Sequence, residues 1–294
     1  MYNKQFTFID LFAGIGGFHI ALHNVGGVCV FASEWDNDCR KTYTENFRKI
    51  SPNLFDSNGN PNCNFAEDIN DVPPFMIGEH DVLCGGFPCQ PFSQAGQKRG
   101  FDDTRGTLFF NIAEIIKVKK PKIVFLENVR GLLSHDNGKT FEVIQNTIND
   151  LGYTFYYKVI KASEFNLPQH RPRLYMIGIR KDLNDNFRFP DPIPLTMTMG
   201  DVFDGAKVNK DVGYTLRVGG KGSPLNDRRN WDGYLVNGEE VRIKPKQAKR
   251  MQGFPEDFVF PVSETAAMKQ LGNSVAIPVI QAIAKQITKV LEEN

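Results

Sequence analysis

Cys89 is the residue of this 294-residue chain whose position most favours covalent chemistry. It stands in the segment GGFPCQPFS, residues 85–93, directly after an apolar run that predicts a buried strand. Loops at the carboxyl ends of parallel strands form the ligand sites of α/β proteins. A thiol there can act as a nucleophile where a positive charge or a helix end lowers its pKa. We interpret the other four cysteines as small buried side chains: Cys29, Cys39, Cys63 and Cys84.

A glycine-rich turn, DLFAGIGGF at residues 10–18, follows the first predicted strand. Glycines there let the backbone approach a ligand, and the start of the next helix favours polar or anionic groups. Taken alone, such a turn is structural about as often as functional. His19 stands where the dinucleotide fingerprint requires its third glycine, which disfavours NAD. The predicted cofactor contacts in this turn are Phe12, Ala13, Gly14, Ile15 and Gly16.

Acidic and aromatic residues after the second predicted strand fit a nucleoside. Glu34 follows Gly14 by twenty residues, a spacing at which an acidic side chain can hold ribose hydroxyls. Trp35 can stack on an adenine ring, and Asp68 with Ile69 can contact the base. Because the pyrophosphate fingerprint is incomplete, we predict S-adenosylmethionine as the cofactor in preference to NAD.

The elements that must position these residues alternate between apolar runs and helical patterns. Near-continuous apolar strands separated by helices predict a parallel, doubly wound sheet, so the fold class is α/β. The β-rich runs 153–160 and 173–180 are expected to close the sheet as a hairpin-like pair. The predicted strands are 5–11, 28–33, 80–85 and 122–127, and the predicted helices are 17–25, 36–47, 107–119 and 140–151.

After residue 181 the character of the chain changes. Residues 182–240 hold many Pro, Gly, Asn and Asp and no convincing helix, which predicts a small, irregular β-rich domain. Helical patterns return at 245–251 and at 275–291, and we expect the last helix to pack back on the first domain. The predicted division is therefore a discontinuous catalytic, cofactor-binding domain, 1–181 with 271–294, and a second domain, 182–270.

Composition excludes several classes of protein. Hydrophobic residues are 41% and charged residues 23%, which excludes disorder and a coiled coil. No apolar run approaches the roughly 18 residues of a membrane span, and the N-terminus does not resemble a signal peptide. Five cysteines without a C-x-x-C pair disfavour disulfides and structural zinc and favour a reducing cytoplasm. Residues 217–250 carry nine Lys and Arg against four acidic residues, which hints at a polyanionic partner.

Seven motifs resemble, in order, those of the DNA (cytosine-5) methyltransferases. They cover nearly the whole chain and leave only about residues 181–241 unmatched. The resemblance implies a Rossmann-like, S-adenosylmethionine-dependent methyltransferase fold with a small β-rich target-recognition domain, and DNA held in the cleft between. The motifs are DLFAGIGGF (10–18), SEWD (33–36), GGFPCQPFS (85–93), ENV (127–129), QHRPR (169–173), RMQGFP (250–255) and QLGNSV (270–275).

The resemblance assigns roles to four catalytic candidates. Cys89 matches the nucleophile that adds to C6 of a cytosine flipped out of the duplex. Glu127 matches the carboxyl group that contacts N3, and its place after an apolar run predicts a raised pKa. Arg171 and Arg173, two apart on an extended segment, match the arginines that hold the base and the phosphate. A strand-end cap for Glu127 and plain surface charge for the arginines are the structural alternatives.

The resemblance also implies further cofactor and DNA contacts. The additional cofactor contacts are Pro88, Leu108, Asn273, Ser274 and Val275. A predicted mobile catalytic loop, 93–106, offers Ser93, Gln94, Lys98, Arg99 and Arg105 to the DNA. Thr215 and Leu216 resemble a Thr-Leu pair at the start of the recognition segment. The residues predicted to contact DNA after that pair are Arg217, Lys221, Arg228, Arg229 and Asn230.

One histidine pair could in principle bind a metal. His19 and His23 lie four apart on a predicted helix, a spacing that places two ligands on one face. Without a third ligand at the required place, we interpret both as surface histidines and expect no metal.

The predicted function is a site-specific DNA cytosine-5 methyltransferase of prokaryotic type, the modification enzyme of a restriction–modification system. We expect a cytoplasmic monomer without an obligate protein partner that acts on double-stranded DNA at a short specific site and releases S-adenosylhomocysteine. A tRNA cytosine-5 methyltransferase of the same family is the first alternative. A catalytically silent DNA-binding regulator is the second, and the intact set of catalytic candidates argues against it.

Overall fold

The computed structural model of the protein describes residues 6–88 and 107–294. Strands and helices alternate along its first half, as the apolar runs predict. The strands are β1 (Phe6–Leu11), β2 (Gly27–Ser33), β3 (Phe65–Ala66), β4 (Val82–Gly86), β5 (Ile123–Val129), β6 (Tyr153–Lys161), β7 (Pro172–Arg180), β8 (Gly233–Val236) and β9 (Glu239–Arg242). The helices are α1 (Gly17–His23), α2 (Asn37–Phe47), α3 (Leu108–Lys119), α4 (Lys139–Asp150), α5 (Met199–Val202), α6 (Pro245–Gln252), α7 (Glu264–Asn273) and α8 (Ile277–Glu292).

Seven strands form one sheet in the order β3-β2-β1-β4-β5-β7-β6. The first five are parallel, whereas β7 runs antiparallel to both β5 and β6. The predicted hairpin-like closure of the sheet is thereby confirmed. Strand order reverses between β1 and β4, and in open α/β sheets ligands bind at the carboxyl ends of the strands beside such a reversal.

Helices cover both faces of the sheet, so its central strands are apolar on both sides. In β5 the residues from Ile123 to Leu126 are all fully buried. Phe18 of α1 packs edge-on against Phe125 at 5.0 Å on one face, and α3 and α4 supply the apolar side chains of the other. Each such buried side chain stabilises the fold by about 1.5–3 kcal/mol.

The last two helices return to the sheet. By length and composition the stretch Glu264–Glu292 could cross a membrane, although 56% of its most apolar window is buried inside the protein. The stretch is also broken between α7 and α8, and α8 packs against α1 through its apolar stripe. These features are typical of core helices, and the packing of α8 on α1 agrees with the sequence prediction.

Residues 182–244 are mostly irregular, as their turn-rich composition predicts. Their helices and strands are the short helix α5 and the two-stranded sheet β8-β9. Neither α5 nor α7 is predicted from the sequence. The division into a catalytic part and a part spanning 182–270 stays a prediction.

The interpretation of His19 as a surface residue is wrong. His19 is fully buried, whereas His23 is exposed. Its Nδ1 lies 2.5 Å from the Tyr43 hydroxyl and its Nε2 lies 2.9 Å from the Ser51 hydroxyl, and its ring stacks on Phe47 at 4.2 Å. Burial lowers the pKa of His19 to about 3, so the ring is neutral. The four-residue spacing of the two histidines does not reveal that α2 covers only one of them.

A buried carboxyl group lies at the centre of the sheet. Asp10 on β1 is almost completely buried, and its Oδ2 has no hydrogen-bond partner among the described residues. Burial, reinforced by the nearby Glu34, raises the pKa of Asp10 to about 8. The folded protein therefore retains a proton on Asp10 at a pH where the unfolded chain has lost it.

We expect Asp10→Asn to remove a pH dependence of stability. Because the pKa of Asp10 rises from an ordinary 3.8 to about 8 on folding, the wild-type free energy of unfolding falls as pH rises through this interval. The neutral isostere should raise Tm by at least about 3 °C at pH 9 and by much less at pH 4.5. Thermal unfolding followed by circular dichroism at both pH values measures the effect.

Asp81→Asn is the matched control. Asp81 accepts hydrogen bonds from Thr7 and pairs with Lys122, and these contacts outweigh burial and lower its pKa. Its neutral isostere should therefore lower Tm at pH 9. An Asp10→Asn protein that is destabilised equally at both pH values would contradict the protonated state of Asp10 in the folded protein.

Candidate functional site

The carboxyl ends of the parallel strands open into a cavity of about 1090 Å³. Its wall combines residues from β2, β4 and β5 with residues from the turn after β1 and from the end of α7 and the turn that follows it, so segments distant in sequence meet there. Gly16 lies in the predicted turn but not in the wall. The predicted site residues that line this cavity are Phe12, Ala13, Gly14, Ile15, Glu34, Trp35, Asp68, Ile69, Pro88, Leu108, Glu127, Arg171, Arg173, Asn273, Ser274 and Val275.

The turn after β1 is held in a conformation that requires glycine. Gly14 and Gly16 both have positive φ, and Phe12 shares this left-handed conformation at φ 57. At Gly16 a Cβ would lie 2.2 Å from the Phe47 ring, so α2 blocks any side chain there. The conformation turns the backbone of 12–16 around the cavity before α1 begins.

Glu34 fixes this turn from the end of β2. Its Oε2 accepts a hydrogen bond from the Gly14 N–H at 2.7 Å, and its Oε1 accepts one from the Asp36 N–H at 2.8 Å. Each oxygen keeps a second lone pair for a ligand hydroxyl. Burial raises the pKa of Glu34, against the lowering effect of these two N–H donors. Beside it, Trp35 leaves 78% of its surface exposed at the rim of the cavity.

The opposite wall is built on a short 3-10 helix, Ile69–Asp71. Asp68 caps it by accepting a hydrogen bond from the Asn70 N–H at 2.9 Å, and Ile69 is buried. Asn70 also accepts a hydrogen bond from Asn111 of α3 at 3.1 Å. This hydrogen bond links the 3-10 helix to α3. Both asparagines line the cavity, although neither is predicted from the sequence.

Glu127 lies at the end of β5 with an arginine beside it. The carboxyl group is buried, and its Oε1 lies 3.1 Å from Nε of Arg173. Burial raises the pKa of Glu127, although Arg173 and Arg171 oppose the shift. The side chain that caps this strand end is that of Asn128. It donates a hydrogen bond to the Phe87 carbonyl and accepts one from the Val129 N–H. The role of Glu127 as a proton donor stays a prediction.

Arg171 is 2% exposed, so the surface-charge alternative is wrong for this residue. Its guanidinium donates hydrogen bonds to the backbone carbonyls of Leu216, Gly272 and Ser274. The prediction that it holds a phosphate stays untested, and the structure adds an internal role that the sequence does not reveal.

Residues just before the Asn273–Val275 turn connect it to α2. Lys269 of α7 pairs with Asp36 at 3.0 Å, and Oε1 of Gln270 accepts a hydrogen bond from the Thr42 hydroxyl at 3.0 Å. Nε2 of Gln270 and the hydroxyl of Ser33 are buried in the cavity lining without a partner among the described residues. Both fit a polar ligand, because buried polar groups are otherwise hydrogen-bonded.

Two glutamines in the quoted motifs also carry structure that sequence reasoning missed. Gln169 donates to the Met251 carbonyl at 2.8 Å and accepts from the Leu216 N–H at 3.0 Å. Gln252 donates to the carbonyls of Leu271 and Ser274. The sequence signal that could have indicated these hydrogen bonds is the position of both glutamines inside the motifs, because a polar side chain that is buried needs a hydrogen-bond partner.

Six predicted residues fall between the described ranges 6–88 and 107–294. They include the candidate nucleophile Cys89 and the contacts predicted in the 93–106 loop, so their roles stay predictions. Pro88, the neighbour of Cys89 in sequence, lines the cavity. The six are Cys89, Ser93, Gln94, Lys98, Arg99 and Arg105. Among the described residues, no cluster of His, Cys, Asp and Glu could hold a metal ion.

The predicted recognition segment separates into a buried scaffold and exposed turns. Leu216 and Asn230 are buried, and Asn230 exchanges hydrogen bonds with Gly233. Trp231 is also buried, with its Nε1 donating to the Gly219 carbonyl at 2.9 Å. DNA contact by Leu216 and Asn230 stays a prediction, and their burial gives them structural contacts that the sequence does not indicate. The exposed members are Arg217, Lys221, Arg228 and Arg229, and Thr215 is half-buried.

Comparison with known proteins agrees with this geometry. The model of the C-5 cytosine-specific DNA methylase family matches residues 6–218 and 217–289. The Type II methyltransferase M.SsoII of Shigella sonnei is 40% identical, over 99% of this chain and 82% of that protein. The Type II methyltransferase M.HhaI of Haemophilus parahaemolyticus is 39% identical, over 97% of this chain and 96% of that protein.

Solved structures share the fold at much lower identity. A putative DNA modification methyltransferase encoded within an E. coli prophage has a TM-score of 0.74 at 19% identity, covering 98% of this chain and all of that one. A DNMT2 mutant from Spodoptera frugiperda has a TM-score of 0.73 at 18% identity, covering 96% of this chain and 99% of that one. The predicted Rossmann-like fold is confirmed.

Trp35→Ala should weaken cofactor binding without destabilising the protein. The ring is 78% exposed, so its removal costs little packing, but it deprives a bound adenine of a large stacking surface. We expect the Kd for S-adenosylhomocysteine, measured by isothermal titration calorimetry, to rise about tenfold.

Phe75→Ala is the matched control, because this phenylalanine is 73% exposed and lies outside the cavity wall. Its variant should bind S-adenosylhomocysteine with wild-type affinity and unfold at the wild-type Tm. Equal affinities of the Trp35→Ala protein and the wild type would show that the rim does not bind the base.

Proposed function

Because this chain belongs to the C-5 cytosine-specific DNA methylase family, and so is a DNA cytosine-5 methyltransferase, we propose that it modifies one specific site for a restriction–modification system. The names of its relatives support the proposal, since M.SsoII and M.HhaI are both Type II methyltransferases. The observation that carries it is that the Glu127–Arg173 pair and the predicted cofactor contacts line the same cavity.

We propose S-adenosylmethionine as the cofactor. Glu34 would hold its ribose hydroxyls, Trp35 and Ile69 its adenine, and the 12–16 and 273–275 turns its remaining polar groups. Support comes from the cavity volume and from unpartnered polar atoms in the wall, among them Ser33 Oγ and Gln270 Nε2. When bound, the cofactor supplies the electrophilic methyl group that C5 of cytosine takes.

The chain's own residues would make C5 reactive. The Cys89 thiolate forms a bond to C6, and the displaced π electrons move through C5 and C4 to N3, which takes a proton from Glu127. The product is an enamine with a nucleophilic C5. After C5 is methylated, N3 returns its proton to Glu127. The C5 proton then passes to solvent water as the Cys89 thiolate leaves C6, which restores the aromatic ring. Arg173, 3.1 Å from Glu127, would orient this carboxyl group.

We assign DNA reading to the part of the chain from 182 to 270 and chemistry to 1–181 with 271–294. The basic surplus of 217–250 supports this division, as do the exposed Arg217, Lys221, Arg228 and Arg229. Cytosine inside a duplex is out of reach of a thiol, so the base must be flipped into the cavity. We propose that a monomer acts in the cytoplasm, where the host DNA lies.

The direct test of the proposed function is methyl transfer from labelled S-adenosylmethionine to duplex DNA and to tRNA. We expect 5-methylcytosine in DNA at one short sequence, identified by base-level sequencing, and no label in tRNA. Label in tRNA alone would replace the proposal with the tRNA alternative. Label in neither, with cofactor and DNA still bound, would indicate a silent DNA-binding regulator.

Cys89→Ser should abolish methyl transfer while DNA and cofactor binding persist. A serine hydroxyl provides essentially no anion at neutral pH to add to C6. Wild type, but not the variant, should form a covalent adduct with 5-fluorocytosine DNA, detected as a shifted band in a denaturing gel. Cys84→Ser, a change at a buried strand residue, should leave turnover near wild type. Substantial turnover of the Cys89→Ser protein would refute the mechanism.

Alanine substitutions at the exposed Arg217, Lys221, Arg228 and Arg229 should separate base reading from phosphate binding. Loss of a base contact costs about 1–3 kcal/mol of discrimination and relaxes one position of the site. Loss of a phosphate contact weakens all sequences alike and reduces the salt dependence. Methylation rates on the preferred site and on its single-base variants distinguish the two. If all four variants weaken every sequence equally, recognition lies elsewhere.

A further inference from the structure

Arg171 connects two parts of the chain that the proposed function assigns to different ligands. It lies just before β7 and is 2% exposed. Both terminal nitrogens of its guanidinium group donate hydrogen bonds to backbone carbonyls. One nitrogen donates to Leu216 at 3.3 Å, and the other donates to Gly272 at 3.1 Å and to Ser274. Because both terminal nitrogens are bound within the protein, the observed contacts of this arginine are internal ones.

The Gly272–Ser274 side of this contact belongs to the cofactor wall. Ser274 and its neighbours line the cavity, and the turn is seated on the start of α1, where a Cβ at Gly17 would lie 2.6 Å from Val275. Helix α7, which includes Gly272, is linked to the start of α2 by the ion pair of Lys269 with Asp36. The backbone N–H of Asp36 also donates a hydrogen bond to Glu34. Movement of this turn therefore alters the shape of the cofactor site.

The Leu216 side belongs to the predicted recognition segment. Leu216 is buried, and its N–H is held by Gln169 at 3.0 Å, whereas Arg217 directly after it is exposed. The backbones of Gly272 and Arg217 are in direct contact. A Cβ at Gly272 would lie 2.7 Å from the Arg217 carbonyl oxygen, so only glycine fits between them.

We propose that Arg171 is a positioning residue that couples cofactor binding to DNA binding. Arg171 holds Leu216 and the Gly272–Ser274 segment in one relative position. A ligand that stabilises this position at one segment therefore also favours binding of the second ligand at the other segment. Such a coupling is reciprocal, so each ligand must raise the affinity for the other by the same factor. This inference rests on the proposed function, which supplies the two ligands.

The test measures this factor in both directions. The Kd of the duplex that wild type methylates fastest is determined by fluorescence anisotropy with and without saturating S-adenosylhomocysteine. The Kd of S-adenosylhomocysteine is determined by calorimetry with and without that duplex. We expect a factor of at least about five in both directions for wild type, and a factor below about two for Arg171→Lys, which keeps the charge but cannot reach three carbonyls at once.

Arg180→Lys is the matched control. Arg180 ends the same strand, β7, and bonds Asp182 at 2.6 Å and the Lys120 carbonyl, far from both predicted ligand sites. Its variant should retain the wild-type factor. If Arg180→Lys loses the coupling as well, the effect is one of general stability and the proposal fails.

Gly272→Ala tests the same contact without touching Arg171, and it decides the question if Arg171→Lys does not fold. Its methyl group meets the Arg217 carbonyl and should separate the two segments. Because Gly272 lines the cavity and the added methyl group displaces this segment, we expect the free protein to bind both ligands more weakly and the coupling factor to be near one. Folding is checked by the Tm of each variant.

Two results would overturn the inference while leaving the proposed function intact. One is a wild-type factor near one with normal methyl transfer, and the other is a folded Arg171→Lys or Gly272→Ala protein that keeps the wild-type factor. Failure of the proposed function is distinguishable, because wild type would then bind neither ligand or transfer no methyl group to DNA.

Discussion

The reversal of strand order between β1 and β4 is the constraint on which the site depends. The chain crosses the sheet in one direction from β1 to β3 and then returns to the other side of β1, so no crossover helix covers the gap. The cavity opens there. Backbone polar groups at the gap need hydrogen-bond partners. The carboxylate of Glu34 is the partner of two of these groups, because it accepts hydrogen bonds from the N–H groups of Gly14 and Asp36.

The strands and the helices flanking them were predictable because their signals are local. Apolar runs and helical spacing predict β1, β2, α2 and β5 within a few residues of their observed bounds, and Asp36, the first residue of the predicted helix, is the N-cap of α2. Helix α7 was missed because its ten residues, with a mixed polar and small composition, lack a strong apolar period. Burial of His19 was missed for a different reason, since it depends on which face of α1 meets α2.

Within the candidate site, the sequence predicts residue types better than it predicts partners. Glu34, Trp35 and Glu127 line the cavity as their spacing and motifs imply. The side chain of Arg171, which bonds to distant backbone, could not be separated from a ligand-binding one. Its partners lie far along the chain, as its contact with Ser274 illustrates, and no periodicity carries that information.

The cavity wall is assembled from residues at opposite ends of the sequence, Phe12 to Glu34 on one side and Asn273 to Val275 on the other. A nascent chain emerging from the ribosome exposes the first group long before the second has been synthesised. The pocket therefore closes only late in translation, after the predicted recognition segment has already emerged. A chain interrupted before Asn273 lacks one wall of the pocket, so premature termination would yield an inactive product rather than one with partial activity.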